Sequence, residues 1–193
     1  MLETKSKQFI SMTAFVLTIF TFKTWLETGQ RFAIKVHKEA KLLYGSNELL
    51  PIIEAHPEDI EEKNNAIYTE AKNKVVEFLA GADLYIIRKQ TKLAAFMLHQ
   101  ATEQCLHAMF ELNTGMYLAT HNIDKLLRYC SMICYRLPEI FPRNNKKEER
   151  LFQLLQKAYV GGRYDNNYSI TVTELQEIRE RVMELKELMN ENN

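Results

Sequence analysis

Apolar and polar positions follow two regimes along this chain. From Pro57 onward, apolar residues recur at steps of three and four. Pro57 suits a first helical position, with Glu58 and Asp59 in the positive end, and Ile60, Ile67, Ala71, Val75, Phe78, Ala82 and Tyr85 then trace one stripe. The spacing predicts a second helix from about Lys92 to Leu112, with Ala94, Met97, Leu98, Ala101, Cys105, Ala108, Met109 and Leu112 inward. Asn113-Thr114-Gly115 is its stop. Asn122 can cap a third helix that carries Ile123, Leu126, Leu127, Cys130, Ile133, Cys134 and Leu137 and ends before Pro138. A fourth begins near Lys146 and turns Leu151, Leu154, Leu155 and Ala158 to the core. Thr171-Val172-Thr173-Glu174 has the form of a capping box and opens a fifth, with Leu175, Ile178, Val182, Leu185 and Met189 on one side. Such helices, joined by short or moderate loops, bury their stripes against one another. The fold expected is mainly α, an up-and-down bundle of about five helices over residues 48–193.

Residues 1–47 read differently. Arg31 to His37 alternates, with Phe32, Ile34 and Val36 on one side and Arg31, Lys35 and His37 broadly on the other, which is the period of a strand. Thr28-Gly29-Gln30 fits a turn between two short strands, although Phe15 to Leu26 fits a short buried helix equally well. The expectation is a short β-containing amino-terminal extension.

Composition narrows the function classes. The chain has 193 residues, 46% of them hydrophobic, with 25 Lys+Arg against 25 Asp+Glu. Zero formal charge excludes a polybasic nucleic-acid clamp. The charge is nonetheless blocked: residues 91–163 hold ten basic and six acidic side chains, whereas 48–77 hold three and eight. This is either a solvated face or a weak anion-binding surface that works by geometry. Three cysteines do not make a secreted disulfide framework, and Cys130 and Cys134 on an apolar stripe read as small packed hydrophobes. The apolar run from Phe15 to Phe20 is far short of the roughly 20 residues that cross a membrane, and no small-residue cleavage site follows it. A cytoplasmic protein without a membrane segment is expected.

Two groups of polar residues are not explained by packing. His99, Glu103 and His107 are spaced by four on the second helix, with Gln100 beside them. They form either an exposed face or a polar seam lining a pocket or dimer groove. His99 and His107 lie about 12 Å apart along a helix, too far to share one metal ion, so no metal is expected. The other group closes the fourth helix: Tyr159, Gly161, Gly162, Arg163, Tyr164 and Tyr168. Paired glycines at a helix end permit a turn and close backbone approach, an arginine binds phosphate bidentately, and tyrosines stack on bases. On composition alone the same residues read as a helix stop with core aromatics.

Four segments together carry a resemblance: Leu93 to Glu103, with its Phe-x-Leu-His-Gln-Ala-x-Glu run; His121-Asn122-Ile123-Asp124-Lys125-Leu126; Leu151 to Tyr159; and Arg163-Tyr164-x3-Tyr168. Over about residues 58–190 the chain resembles the HEPN domain family (higher eukaryote and prokaryote nucleotide-binding), and is similar above all to members fused behind a small nucleotidyltransferase domain. Residues 27–44 look like the tail of that domain. The resemblance implies a helical bundle that forms a homodimer with its site where protomers meet, no cofactor, and in many members ribonuclease activity as a toxin paired with a nucleotidyltransferase-like antitoxin. The family signature is an arginine, a polar residue, and a histidine a few positions on. Arg163 matches the arginine, but Tyr164 stands where asparagine is common and Tyr168 where histidine is expected. An imidazole titrates near pH 6.5 and moves a proton from a 2′-hydroxyl, whereas a phenol titrates near 10 and is a poor neutral-pH base.

The function expected is therefore a nucleotide- or RNA-phosphate-binding module with a degenerate ribonuclease motif. Its binding residues would be Arg163, Tyr164, Tyr168, Tyr159, Gln100 and Glu103, and Arg163, Tyr168 and His99 the candidates for any catalysis. A metal-independent ribonuclease with non-standard groups and a purely structural interaction bundle are the alternatives. Transferase activity is not expected: Gly45-Ser46 follows the expected strands, and residues 1–44 hold only Glu3, Glu27 and Glu39 as carboxylates.

Overall fold

The computed structural model describes residues 16–41, 43–44 and 57–191. Gly45-Ser46 and the side chains of Glu58, Asp59 and Ile60 lie outside the described residues. Eight helices run along the described chain: α1 Ile19–Glu27, α2 Arg31–Glu39, α3 Pro57–Ile87, α4 Thr91–Thr114, α5 Ile123–Cys130, α6 Leu137–Ile140, α7 Lys146–Tyr164 and α8 Val172–Glu191.

α4 is the axis of the bundle. It packs against α3, α5, α7 and α8, and Ala94, Leu98, Ala101, Cys105, Leu106 and Phe110 are sealed from solvent. Such a helix must be apolar nearly all round, so the polar groups it carries must find partners inside. α3 lays Ala71, Val75, Leu79 and Ala82 against it, and α8 lays Leu175, Ile178, Val182, Leu185 and Met189.

Side chains set the helix ends. Asn122 Oδ1 accepts from Lys125 N at 2.9 Å, and Asn145 Oδ1 accepts from Glu148 N at 3.0 Å. The expected capping box forms: Glu174 N donates to Thr171 Oγ1 at 3.2 Å, and Thr171 N donates to Glu174 Oε2 at 2.9 Å. Gly115, with φ +71°, closes α4.

Three expectations are corrected. Residues 31–39 form a helix, so no strand occupies Arg31 to His37. Seven alternating residues also fit two turns of helix, because Phe32 and Val36 lie one turn apart. The Gln30 side chain settles it by accepting from Ala33 N at 3.1 Å, with Ala33 buried and Trp25 edge-on to Phe32 at 6.5 Å. The Gly29 turn, φ +72°, therefore joins two helices. Gln30 and Arg31 donate to the Thr114 and Leu112 carbonyls, which ties this hairpin to the end of α4.

The third predicted helix is two pieces. α5 ends at Cys130, where Ser131 Oγ donates to the Leu127 carbonyl at 2.7 Å, and Pro138 lies in the first turn of α6 instead of beyond a helix end. Finally, Gly161 and Gly162 do not stop α7, which continues to Tyr164. Their use is close approach: a Cβ on Gly161 would lie 2.5 Å from the Tyr168 ring, and one on Gly162 would lie 2.7 Å from the Lys92 carbonyl oxygen.

Cys105 and Cys130 are buried and Cys134 is half-buried, all as free thiols. Burial pushes the Cys105 thiol up to about 12. Among the described residues, no helix is long and apolar enough to cross a membrane.

Candidate functional site

A polar strip runs along the seam where α4, α7 and the loop before α5 meet. Its hub is Glu103, only 4% exposed. Three imidazoles surround that carboxylate: His121 Nδ1 at 3.1 Å from Oε1, His99 Nε2 at 3.6 Å from Oε2, and His107 Nε2 at 3.9 Å from Oε1. Gln100 Nε2 donates to Oε2 at 3.4 Å. The spacing of four puts His99, Glu103 and His107 on one face, and because α4 is central that face is inside. His99 is sealed from solvent, with Nδ1 against the Leu155 carbonyl of α7 at 2.9 Å. A carbonyl only accepts, so Nδ1 carries the proton and Nε2 faces the carboxylate.

Burial alone would push the Glu103 carboxyl up, but the His99 and His121 imidazoles hold it below the usual carboxylate range. His107 moves the other way: burial holds it below the ordinary imidazole value of 6.5, against the pull of the Glu103 charge. The Thr120 backbone gives only partial support to the His107 ring, neither nitrogen of which makes a well-formed hydrogen bond among the described residues, and the ring stacks on Tyr117 at 4.9 Å.

The sign of the resulting pH dependence follows. The unfolded chain protonates His107 near 6.5 while the folded chain resists, so stability falls as pH drops below about 6.5. The contribution of Glu103 is in place above about 4.5 and is lost as pH falls through its lower folded value. Both run the same way, so the melting temperature should fall steadily from pH 7 to pH 4. His107→Phe keeps the stacked ring and removes the titration. It should flatten the upper part of that fall in thermal melts taken at half-unit pH steps, and an unchanged slope would show that His107 is not its source.

Tyr159 links this buried cluster to Arg163. The His121 ring stacks on it at 4.9 Å and 10°, and His99 lies 5.4 Å away. The Arg163 guanidinium sits 4.3 Å from the centroid of the same ring, 4.8 Å from Phe96 and 4.9 Å from Tyr164. Arg163 Nε donates to the Tyr159 carbonyl at 2.9 Å, which folds the side chain back along α7. Arg163 is exposed and forms no ion pair among the described residues. Three aromatic rings thus hold a guanidinium whose terminal nitrogens remain free for an anion.

The expected residues separate into two sets. Arg163, Tyr159, Tyr164, Gln100, Glu103 and His99 gather along the seam, although Arg163 reaches the α4 edge through the Tyr159 ring and not by touching Glu103. Tyr168 does not join them. Its ring is buried against Gly161, its hydroxyl donates to the Leu154 carbonyl at 2.9 Å, and burial pushes its phenol well above 10. His99, with no exposed surface, is equally out of reach of a ligand.

The residue that sequence reasoning left unassigned is His121, whose side chain is 62% exposed. Two neighbours place it: Asn122 caps α5, and Gln156 of α7 accepts from Asp124 N at 2.9 Å, which draws the start of α5 onto α7. Its sequence signals were its place just before a helix cap and at the head of one of the segments that carry the family resemblance. Among the described residues, no three His, Cys, Asp or Glu side chains are arranged to hold a metal ion. A cleft of about 540 Å³ between the end of α5, α6 and the loop before α7, lined by Leu127, Arg128, Phe141 and Arg143, shares no residue with the strip.

Compared with known protein families, the chain matches the HEPN domain over residues 68–192, which contains the whole strip and leaves α1 and α2 outside. No curated protein matches it.

Proposed function

The chain belongs to the HEPN domain family, and from that premise we propose that its bundle is a dimeric module binding the phosphate of a nucleotide or RNA. The observation that carries this reading is the exposed Arg163 guanidinium, held by Phe96, Tyr159 and Tyr164 with no anionic partner of its own among the described residues. An arginine fixed in this way loses little entropy on binding and presents a planar fork to phosphate oxygens. Tyr164, 73% exposed, is placed to stack on a base. Tyr164 and Val160, also exposed, lie one turn apart on α7 and give a second protomer an apolar contact beside the site.

The placement of Tyr168 supports binding over motif-driven cleavage. A buried phenol that already donates its proton to a carbonyl neither accepts a proton from a 2′-hydroxyl nor reaches it.

Arg163→Ala is the test. Nucleotide binding, measured by calorimetry or fluorescence anisotropy, should weaken at least about tenfold, the scale of one charge-assisted contact. The melting temperature should hold, because the side chain is exposed. Equal binding by the variant would remove the proposal.

A further inference from the structure

Resting on that reading, we propose that His121 is a second arm of the anion site, one that engages phosphate only when its ring is protonated. The hydrogen-bond inventory of the ring carries the argument. Glu103, ionised and buried, can only accept. His121 Nδ1, 3.1 Å from its Oε1, must therefore hold a proton in either charge state of the ring. In the neutral ring the remaining nitrogen, Nε2, carries a lone pair, which repels a phosphate oxygen. Protonation converts that same nitrogen into a charged donor. Nε2 has no hydrogen-bond partner among the described residues, and the ring is largely exposed.

Position makes this nitrogen relevant to the site. The ring stacks on Tyr159, the ring on which the Arg163 guanidinium also rests. Two cationic groups thus share one aromatic platform, one permanently charged and one switched by pH.

Charged and titratable groups surround His121. From α4 it faces Glu103 and, across that carboxylate, His99 and His107; from α7 it faces Tyr159, whose ring also carries Arg163. The start of α5, just after it, adds Asp124, which is engaged by Arg143 and Arg128. His99 is sealed from solvent, and burial disfavours the charged form of His107. His121 is the imidazole of this cluster with open access to water.

The probe is a 2′-O-methyl oligoribonucleotide of about five residues without terminal phosphates. Its diesters keep a single charge across the range tested, so only the protein titrates. Affinity is measured by anisotropy near pH 5.5 and near pH 8 for the wild type, His121→Gln and Arg163→Ala, with circular dichroism showing each folded at both values. The wild type should bind about tenfold tighter at the lower pH, the scale of one charge-assisted hydrogen bond. His121→Gln should bind equally at both, near the high-pH wild-type affinity. Arg163→Ala should lose binding at both.

A wild type without pH dependence, or a His121→Gln variant that keeps it, would overturn the inference while Arg163-dependent binding still stood. Absence of wild-type binding at either pH, or binding indifferent to Arg163→Ala, would overturn the phosphate-site reading and the inference with it.

Discussion

Glu103→Ala is expected to cost about 3–5 kcal/mol of folding stability at neutral pH, the range seen when one partner of a buried charged cluster is deleted. The carboxylate is 4% exposed and is the common neighbour of His99, His107 and His121. Removing it deprives His99 Nε2, which has no hydrogen bond of its own, of the carboxylate 3.6 Å away and leaves a void beside it, with the other nitrogen committed to the Leu155 carbonyl. It also frees His121, whose Nδ1 hydrogen bond to Glu103 helps hold the loop against Tyr159. For a chain of this size the loss corresponds to a fall of about 10 °C or more in the melting temperature. Glu103→Gln separates charge from shape. It fills the same volume and still accepts from His121, so it should cost only about 1–2 kcal/mol. Thermal and urea denaturation of the two variants measure both quantities. An alanine variant within about 1 kcal/mol of the wild type would mean that the three imidazoles are not organised by this carboxylate.

The contrast between Glu103 and its neighbours shows what kind of information the sequence carried. Periodicity located α3, α4, α7 and α8, because each long helix repeats its apolar step often enough to exclude a strand, and local caps at Asn122 and Thr171 set the starts of α5 and α8. The same arithmetic placed His99, Glu103 and His107 on one face but could not say that the face is interior. That depends on α4 being wrapped by α3, α5, α7 and α8, which is a property of the whole bundle. Short segments were ambiguous for a related reason. Arg31 to His37 fits a strand and two turns of helix alike, and its state is decided by the Gln30 cap on Ala33 N together with long-range ties from Gln30 and Arg31 to the end of α4. The break between α5 and α6 was hidden because apolar spacing continues across it through Ile133 and Cys134. Tyr168 looked available from its motif position, yet the Gly161 surface gives its ring a place to bury. His121 lies in a loop, where no face can be assigned by counting, and only the fold brings it to Tyr159.

Gly162→Val is expected to destabilise the bundle by about 2–3 kcal/mol and to abolish the proposed phosphate binding together, since one contact underlies both. α7 crosses α4 so closely here that a Cβ would lie 2.7 Å from the Lys92 carbonyl oxygen and 3.0 Å from Phe96 Cβ. The first of these is backbone, near the start of a helix whose register is held by the whole core, so it cannot swing aside. The last turn of α7 must lift instead, and that turn carries Arg163. Phe96, which makes the second contact, is one of the three rings holding the guanidinium, so the lift opens the aromatic cage from the opposite wall as well. Valine adds the cost of a β-branched residue in a helix, whereas alanine recovers about 1 kcal/mol of helix propensity relative to glycine. The series Gly162, Gly162→Ala, Gly162→Val should therefore fall stepwise in stability, with the alanine loss only partly offset by its helix propensity, and binding should already weaken at alanine because the displacement begins with the first carbon. Gly161→Ala supplies the comparison: its Cβ meets the Tyr168 ring, whose hydroxyl is anchored to the Leu154 carbonyl, so it should lower the melting temperature with little effect on Arg163. Denaturation and anisotropy on the four proteins distinguish these outcomes, and stability and binding that fall in strict proportion across the whole series would show that the α4–α7 crossing does not position Arg163.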